Sequence, residues 1–180
     1  AQEGLDSERD VDVVVVPPPG MVASLRAGNL DGFCVGEPWN SIAIQGVIGW
    51  CAVTGGQLAP GHPEKALLVK SSFAQEHEQE HVLLVAALIE ACQWCQAPQH
   101  RELLSRTLAR PEYLNVDAAA LMPALTGTFD MGAGRIEHLP DFIRYYGDDV
   151  NEPTQAHAAW ILRHLRQMHP AAFLRTPVEA

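Results

Sequence analysis

The stretch that decides the fold is DGFCVGEPWN, Asp31 to Asn40. Phe33, Cys34 and Val35 form a short apolar run of the kind that makes a buried strand. Gly36 permits close approach of the backbone. Pro38 suits the first turn of a helix, where its fixed φ is helical and its missing N–H is not needed. A strand that ends in a tight turn at a helix N-terminus is a common place for α/β proteins to hold a small ligand, above all an anion.

Before this motif, Val11-Asp-Val-Val-Val-Val16 reads as a parallel strand buried on both faces. Pro17-Pro18-Pro19-Gly20 ends it, and Met21–Ala27 follows as a short helix closed by Gly28 and Asn29. After the motif, Glu37–Val47 reads as a helix and Trp50–Thr54 as a strand ended by Gly55 and Gly56. Strand, helix, strand, helix, strand at this spacing predicts a βαβαβ unit. Ala66–Val69 predicts a further strand and Ser71 opens a short helix. Glu80–Gln96 is an amphipathic helix with Val82, Val85, Ala86, Ile89 and Cys92 on one face. Helices are also expected from Pro98 to about Leu108, from an Asp117 cap through Leu125, and from about Thr154 to Met168 with Trp160 and Leu165 turned inward. The Gly-rich stretch Gly127–Gly134 reads as a loop too irregular to bind phosphate. The organisation predicted is an α/β part at 1–60, a helix-rich part at 61–170 and a flexible tail at 171–180.

The bulk numbers set limits. With 180 residues, 47% of them hydrophobic, the chain suits one domain or a piece of a larger two-lobed protein. A net charge of −10 argues against direct nucleic-acid binding and against anionic membrane surfaces. No apolar run approaches the roughly 18 residues of a membrane-spanning helix, so no membrane insertion is expected. The opening AQEGLDSERD reads as the end of a helix and a loop, which suggests a chain that begins mid-protein and leaves its compartment open. Of the four cysteines, Cys34 and Cys51 read as small buried hydrophobes. Cys92-Gln-Trp-Cys95 lies inside a helical pattern without a second CxxC, so packing accounts for it better than zinc or redox chemistry. No Ser/His/Asp or Cys/His set, P-loop or dinucleotide loop occurs, so neither an enzyme, a cofactor nor a metal site is expected.

VVVVPPPGMVASLRAGNLDGFCVGEPWN, GHPEKALLV, LIEACQWCQAP and LARPEYLNV, from about Asp10 to Met168, together resemble the nitrate/bicarbonate branch of the solute-binding proteins of ABC transporters (NrtA type). They are equally similar to the related cytoplasmic nitrate sensor that partners an RNA-binding antiterminator (NasS type). The resemblance implies a type II periplasmic-binding-protein fold, two α/β lobes that close on an anion. Family members are about twice this long, so the chain looks like the C-terminal half of one. The compartment implied is periplasmic or membrane-anchored for a transport component, with an ABC permease as partner, and cytoplasmic for a sensor.

The resemblance also places residues. Gly36 and Glu37 match positions that approach the bound anion, although a turn requirement alone would explain Gly36. A carboxylate about 4 Å from an anion costs several kcal/mol at an effective dielectric near 20, so Glu37 must be protonated or paired with a cation. Lys65 is the candidate cation, because it falls at the family's charge-determining position; the plainer reading is a solvated surface lysine. Bicarbonate-binding members carry an acidic residue there, which can hold a divalent cation with the ligand, whereas a lysine neutralises a lone monovalent anion. Nitrate or nitrite is therefore expected over bicarbonate. Trp39 is expected to anchor its helix in the core, with a cleft-lining role as the alternative. His62 reads as a turn or supporting residue, and Pro18, within its proline run, as part of the crossover between lobes.

Overall fold

The computed structural model describes Gly4, Asp6 and residues 9–168. The expected flexible tail, and most of the opening segment, lie outside the described residues. In chain order the elements are helices α1 (Pro18–Arg26), α2 (Trp39–Gln45), α3 (Gly55–Leu58), α4 (Ser71–Glu76), α5 (Glu78–Gln96), α6 (Arg101–Leu108) and α7 (Met122–Thr126). Strands β1 (Thr128–Gly132) and β2 (Arg135–His138) and helix α8 (Gln155–Met168) complete the chain. Single 3-10 turns at Pro98–His100 and Ala118–Ala120 precede α6 and α7.

The helices form close to where the periodicity puts them, and their ends have chemical causes. The Asp117 carboxylate accepts the Ala119 N–H at 2.9 Å, starting the turn that leads into α7. The Thr154 hydroxyl accepts the His157 N–H at 3.1 Å at the start of α8. Helix α3 was not expected. Thr54 and Gln57 form a reciprocal capping box, with the Gln57 side chain accepting the Thr54 N–H at 2.9 Å.

The strands differ from expectation. Val11–Val16, Phe33–Val35, Trp50–Thr54 and Ala66–Val69 do not pair as strands, and the only ladder among the described residues is antiparallel, between β1 and β2. A central strand needs a ladder of partners on its edges, and the nearest approach to one here is a single backbone hydrogen bond, from the Cys51 N–H to the Met131 carbonyl of β1 at 2.7 Å. Val13, Val14 and Val15 are accordingly exposed, Val15 to 98%. The stretch expected as a glycine-rich loop is instead the hairpin. Phe129 and Met131 point into the core while Thr128 and Asp130 point out. The chain reverses at Ala133 and Gly134, whose φ of 53° and 77° match the mirror-image turn that suits a two-residue hairpin.

Two small cores result. Ile44 of α2 packs with Phe129 and Met131 of β1, and Cys51, Leu139 and Phe142 close around them. The Phe129 and Phe142 rings stack at 4.8 Å. The hairpin thus supports the helix that follows the DGFCVGEPWN motif. The second core joins Leu104 of α6 to Leu121 and Leu125, with Cys95 and Tyr145 against it. Cys95 is held by packing there, whereas Cys34 is exposed, contrary to its reading as a buried hydrophobe. Helix α5 also departs from the plan: Val82, Leu83, Leu84 and Val85 are exposed, and its cover lies towards the C-terminal end. On α8 the half-buried Trp160 turns inward, but Leu165 is exposed. No helix among the described residues is long and apolar enough to cross a membrane.

Candidate functional site

Helix α2 begins at Trp39, two residues after the expected start, with Pro38 as its N-cap residue. The Glu37–Pro38 peptide is cis, and Pro38 is fully buried. Asn40 Nδ2 donates to the Val35 carbonyl at 2.9 Å, which closes the turn. The Ser41 N–H donates to Glu37 Oε2 at 3.2 Å. The expected anion seat at this helix terminus is therefore taken by the chain's own carboxylate, and α2 is only 7 residues long. The other oxygen, Glu37 Oε1, is buried without a hydrogen-bond partner, and so is the Ser41 hydroxyl.

Gly36 stands apart from this packing. Its φ lies outside the left-handed region, and a Cβ built on it meets nothing within 4 Å. Neither backbone conformation nor the chain's own packing requires glycine there. Gly132 makes the contrast: its φ is 80°, and a Cβ would fall 2.8 Å from Trp50 Cβ.

Lys65 lies in the turn after α3 with its side chain 82% exposed, and its ammonium rests on Glu64 Oε1 at 2.6 Å. The pair expected between Lys65 and Glu37 is not formed. The neighbouring Glu64 takes the ammonium, and among the described residues no ion pair reaches Glu37. His62 Nδ1 lies 2.8 Å from the Ala59 carbonyl, and the His62 ring faces Trp160 of α8 with centroids 6.2 Å apart. Trp39 is half-buried beside the turn, and Pro18 is exposed at the start of α1. Gly36, Glu37 and Trp39 are thus grouped at one turn, while Lys65 and His62 belong to another.

Sequence reasoning missed the groups that tie residues 51–57, which follow α2, to the hairpin. The Arg135 guanidinium donates to the Cys51 and Ala52 carbonyls at 2.8 and 3.1 Å and pairs with Glu137 at 3.3 Å. Gln57 Nε2 donates to Glu137 Oε2 at 2.6 Å, tying β2 to α3. The T-x-x-Q spacing of Thr54 and Gln57 was the one available signal. Burial pushes the Cys51 thiol up, and the charge of Glu37 adds to the shift. Among the described residues no group of three or more His, Cys, Asp or Glu is placed to hold a metal ion. An open groove of about 570 Å³ between α5 and residues 146–153 shares no residue with the motif.

With this geometry in view, comparison with known proteins places the chain. A model of the NMT1-like family matches residues 1–109. The chain belongs to the NMT1-like family. It is 36% identical over 180 residues to the nitrate import ATP-binding protein NrtC of Synechocystis sp. (strain ATCC 27184 / PCC 6803 / Kazusa), covering 99% of this chain and 27% of that protein. It is 35% identical to the nitrate/nitrite binding protein NrtA of Synechococcus elongatus (strain ATCC 33912 / PCC 7942 / FACHB-805), over 90% of this chain and 37% of that one. The bicarbonate-binding protein CmpA of the same organism is 32% identical, with the same two coverages of 90% and 37%. Among solved structures, the periplasmic nitrate-binding protein NrtA from Synechocystis PCC 6803 matches with a TM-score of 0.85 at 27% identity, over 98% of this chain and 45% of that one. The chain therefore spans between 27% and 45% of the length of these relatives. The fold is α/β of the type II periplasmic-binding-protein kind, incomplete, as the sequence leads one to expect.

Proposed function

We propose that the chain is part of a non-enzymatic solute-binding protein that holds a small inorganic anion, nitrate or nitrite, in a cleft between two lobes. The match to the periplasmic nitrate-binding protein over 98% of this chain carries the reading. Gly36 supports it locally, because open space at its Cα position suits the close approach of a ligand. In this reading residues 1–60 belong to the lobe that presents Gly36 and Glu37, and residues 61–170 comprise the crossover to the first lobe and the C-terminal helices. Lys65 supplies the neutralising charge. Its pair with Glu64 is a surface pair of the sort worth about 0–1 kcal/mol, so it gives way readily when an anion arrives. Lobe closure buries the ligand, and an ABC permease reads the closed state.

The test is calorimetry on the full-length protein that carries this chain, with nitrate, nitrite and bicarbonate in turn. Nitrate or nitrite is expected to bind, and bicarbonate not. Bicarbonate binding that depends on calcium, without nitrate binding, would overturn the ligand assignment.

A second reading, an anion sensor in the cytoplasm acting on an RNA-binding antiterminator, draws on one observation. Cys34 is an exposed free thiol of the kind that reducing compartments keep. Labelling intact cells with a membrane-impermeant thiol reagent separates the two: a labelled Cys34 supports the transport component, and one protected until lysis supports the sensor.

A further inference from the structure

We infer that Trp160 and His62 are positioning residues for Lys65: the Trp160 ring of α8 seats His62, and His62 fixes the turn that carries the Lys65 ammonium to the anion. The inference rests on the reading that Lys65 neutralises a bound anion, and on how little else holds that turn. Among the described residues no backbone hydrogen bond involves residues 63–69. The Lys65 side chain is 82% exposed and rests on an exposed neighbour, Glu64. A lysine on a loose turn must be ordered when its ligand arrives, and that ordering costs affinity unless the turn is held beforehand.

His62 is where the turn is held. Its N–H donates to the Ala59 carbonyl at 3.1 Å, and His62 Nδ1 lies 2.8 Å from the same carbonyl. A carbonyl only accepts, so Nδ1 carries a proton and donates it. The ring lies over Gly55 at the start of α3, where a Cβ on Gly55 would fall 3.2 Å from His62 Cε1. A second neighbour is Trp160, with centroids 6.2 Å apart and planes at 35°, within the range of aromatic contact. Trp160 is itself fixed. The centroid of the His164 ring lies 4.0 Å from that of Trp160, and His164 Nδ1 lies 2.8 Å from the Trp160 carbonyl. Ile161, Leu162 and Leu165 of α8 are exposed, whereas Trp160 and His62 are half-buried, so α8 meets the turn through this pair of rings.

Pro63 makes the hold reach Lys65. A proline fixes its own φ and restricts the residue before it to extended backbone, so the step from His62 to Pro63 has little freedom to absorb a rotation. A shift of His62 is therefore passed to Lys65, three residues on, against which the surface pair with Glu64 offers little resistance. The turn of Gly36 and Glu37 is held separately, by the hydrogen bonds of Asn40 and Ser41. Releasing His62 thus disturbs the lysine's side of the proposed site and leaves the other side in place.

The experiment is a double-mutant cycle on the full-length protein, with nitrate affinity read by calorimetry and melting temperatures confirming that each variant is folded. His62→Ala is expected to weaken nitrate binding about fivefold, the loss that follows if the turn holds Lys65 in place only about one fifth of the time. Trp160→Leu is expected to weaken it by a similar factor. His62→Asn, whose side-chain amide can donate to the Ala59 carbonyl, should recover part of the loss. In a Lys65→Ala background His62→Ala should change affinity by less than about twofold, because a residue that acts through Lys65 then has nothing to position. Equal losses with and without Lys65 would overturn the inference, and so would parent affinity in both His62→Ala and Trp160→Leu. Should His62→Ala fail to fold, Trp160→Leu takes its place in the cycle with the same two outcomes. Parent affinity in Lys65→Ala, or no nitrate binding by the parent, would overturn the ligand reading itself, and the inference with it.

Discussion

Two glycines with opposite environments give the sharpest contrast at the scale of single residues. Gly132 is required by the fold, since a Cβ there falls on Trp50 and its φ is 80°. Gly132→Ala is expected to cost about 1–3 kcal/mol in urea unfolding. Gly36 has open space and an ordinary backbone, so Gly36→Ala should leave stability within about 1 kcal/mol of the parent. Its expected effect is on the ligand: nitrate affinity of the full-length protein should fall about tenfold or more, about 1.4 kcal/mol. Unchanged affinity would make Gly36 a bystander. The cysteines carry a second residue-scale prediction. Burial pushes up the Cys51 thiol, helped by the charge of Glu37, and burial pushes up Cys95, helped by Cys92. A raised thiol is less ionised at neutral pH, so its alkylation sets in at higher pH than usual. Iodoacetamide followed by mass spectrometry should therefore label the exposed Cys34 first, with Cys51 and Cys95 following only as pH rises.

Elements were legible in proportion to how local their causes are. Helices α5 and α8 follow from side-chain periodicity, and Asp117 and Thr154 announce the starts of their turns. The alternation Phe129-Asp130-Met131 and the Ala133-Gly134 reversal were equally local, but the surrounding glycines disguise them as a loop. The apolar runs at Val11–Val16 and Trp50–Thr54 were misread as paired strands because pairing depends on partners remote in sequence, which composition does not reveal. At the site, the resemblance singled out Gly36 and Glu37, but the ties between residues 51–57 and the hairpin could not be read. Arg135 reaches the Cys51 carbonyl across 84 positions, a contact that only the hairpin creates. A side-chain clip helps join helix α5 to the loop before α8: Gln96 Oε1 accepts the Tyr145 and Tyr146 N–H groups at 2.8 and 3.2 Å. Gln96→Leu leaves both donors unpaired, and a loss of about 2 kcal/mol is expected on urea unfolding. A loss below about 0.5 kcal/mol would mean that solvent replaces the clip.

Across the whole molecule, large apolar surface is left open. Val13, Val14 and Val15 are exposed before the proline run, and Val82, Leu83 and Leu84 along α5. Patches of this kind are covered by another surface in a working protein. The 180-residue chain alone is therefore expected to bind a hydrophobic dye strongly and nitrate weakly, because the cleft proposed needs a second wall. Micromolar nitrate binding by the isolated chain would show that it carries a complete site. The central claim is that the HPEK lysine and the Gly36–Glu37 turn hold one monovalent anion between them. Its most direct test is a nitrate titration of the full-length protein beside its Lys65→Ala variant, with melting temperatures to confirm that both are folded. Removing a charge-assisted contact from a buried anion should weaken binding by about 2 kcal/mol, roughly thirtyfold. Lys65→Ala that binds nitrate as tightly as the parent would contradict the account, and would leave Lys65 as the surface partner of Glu64.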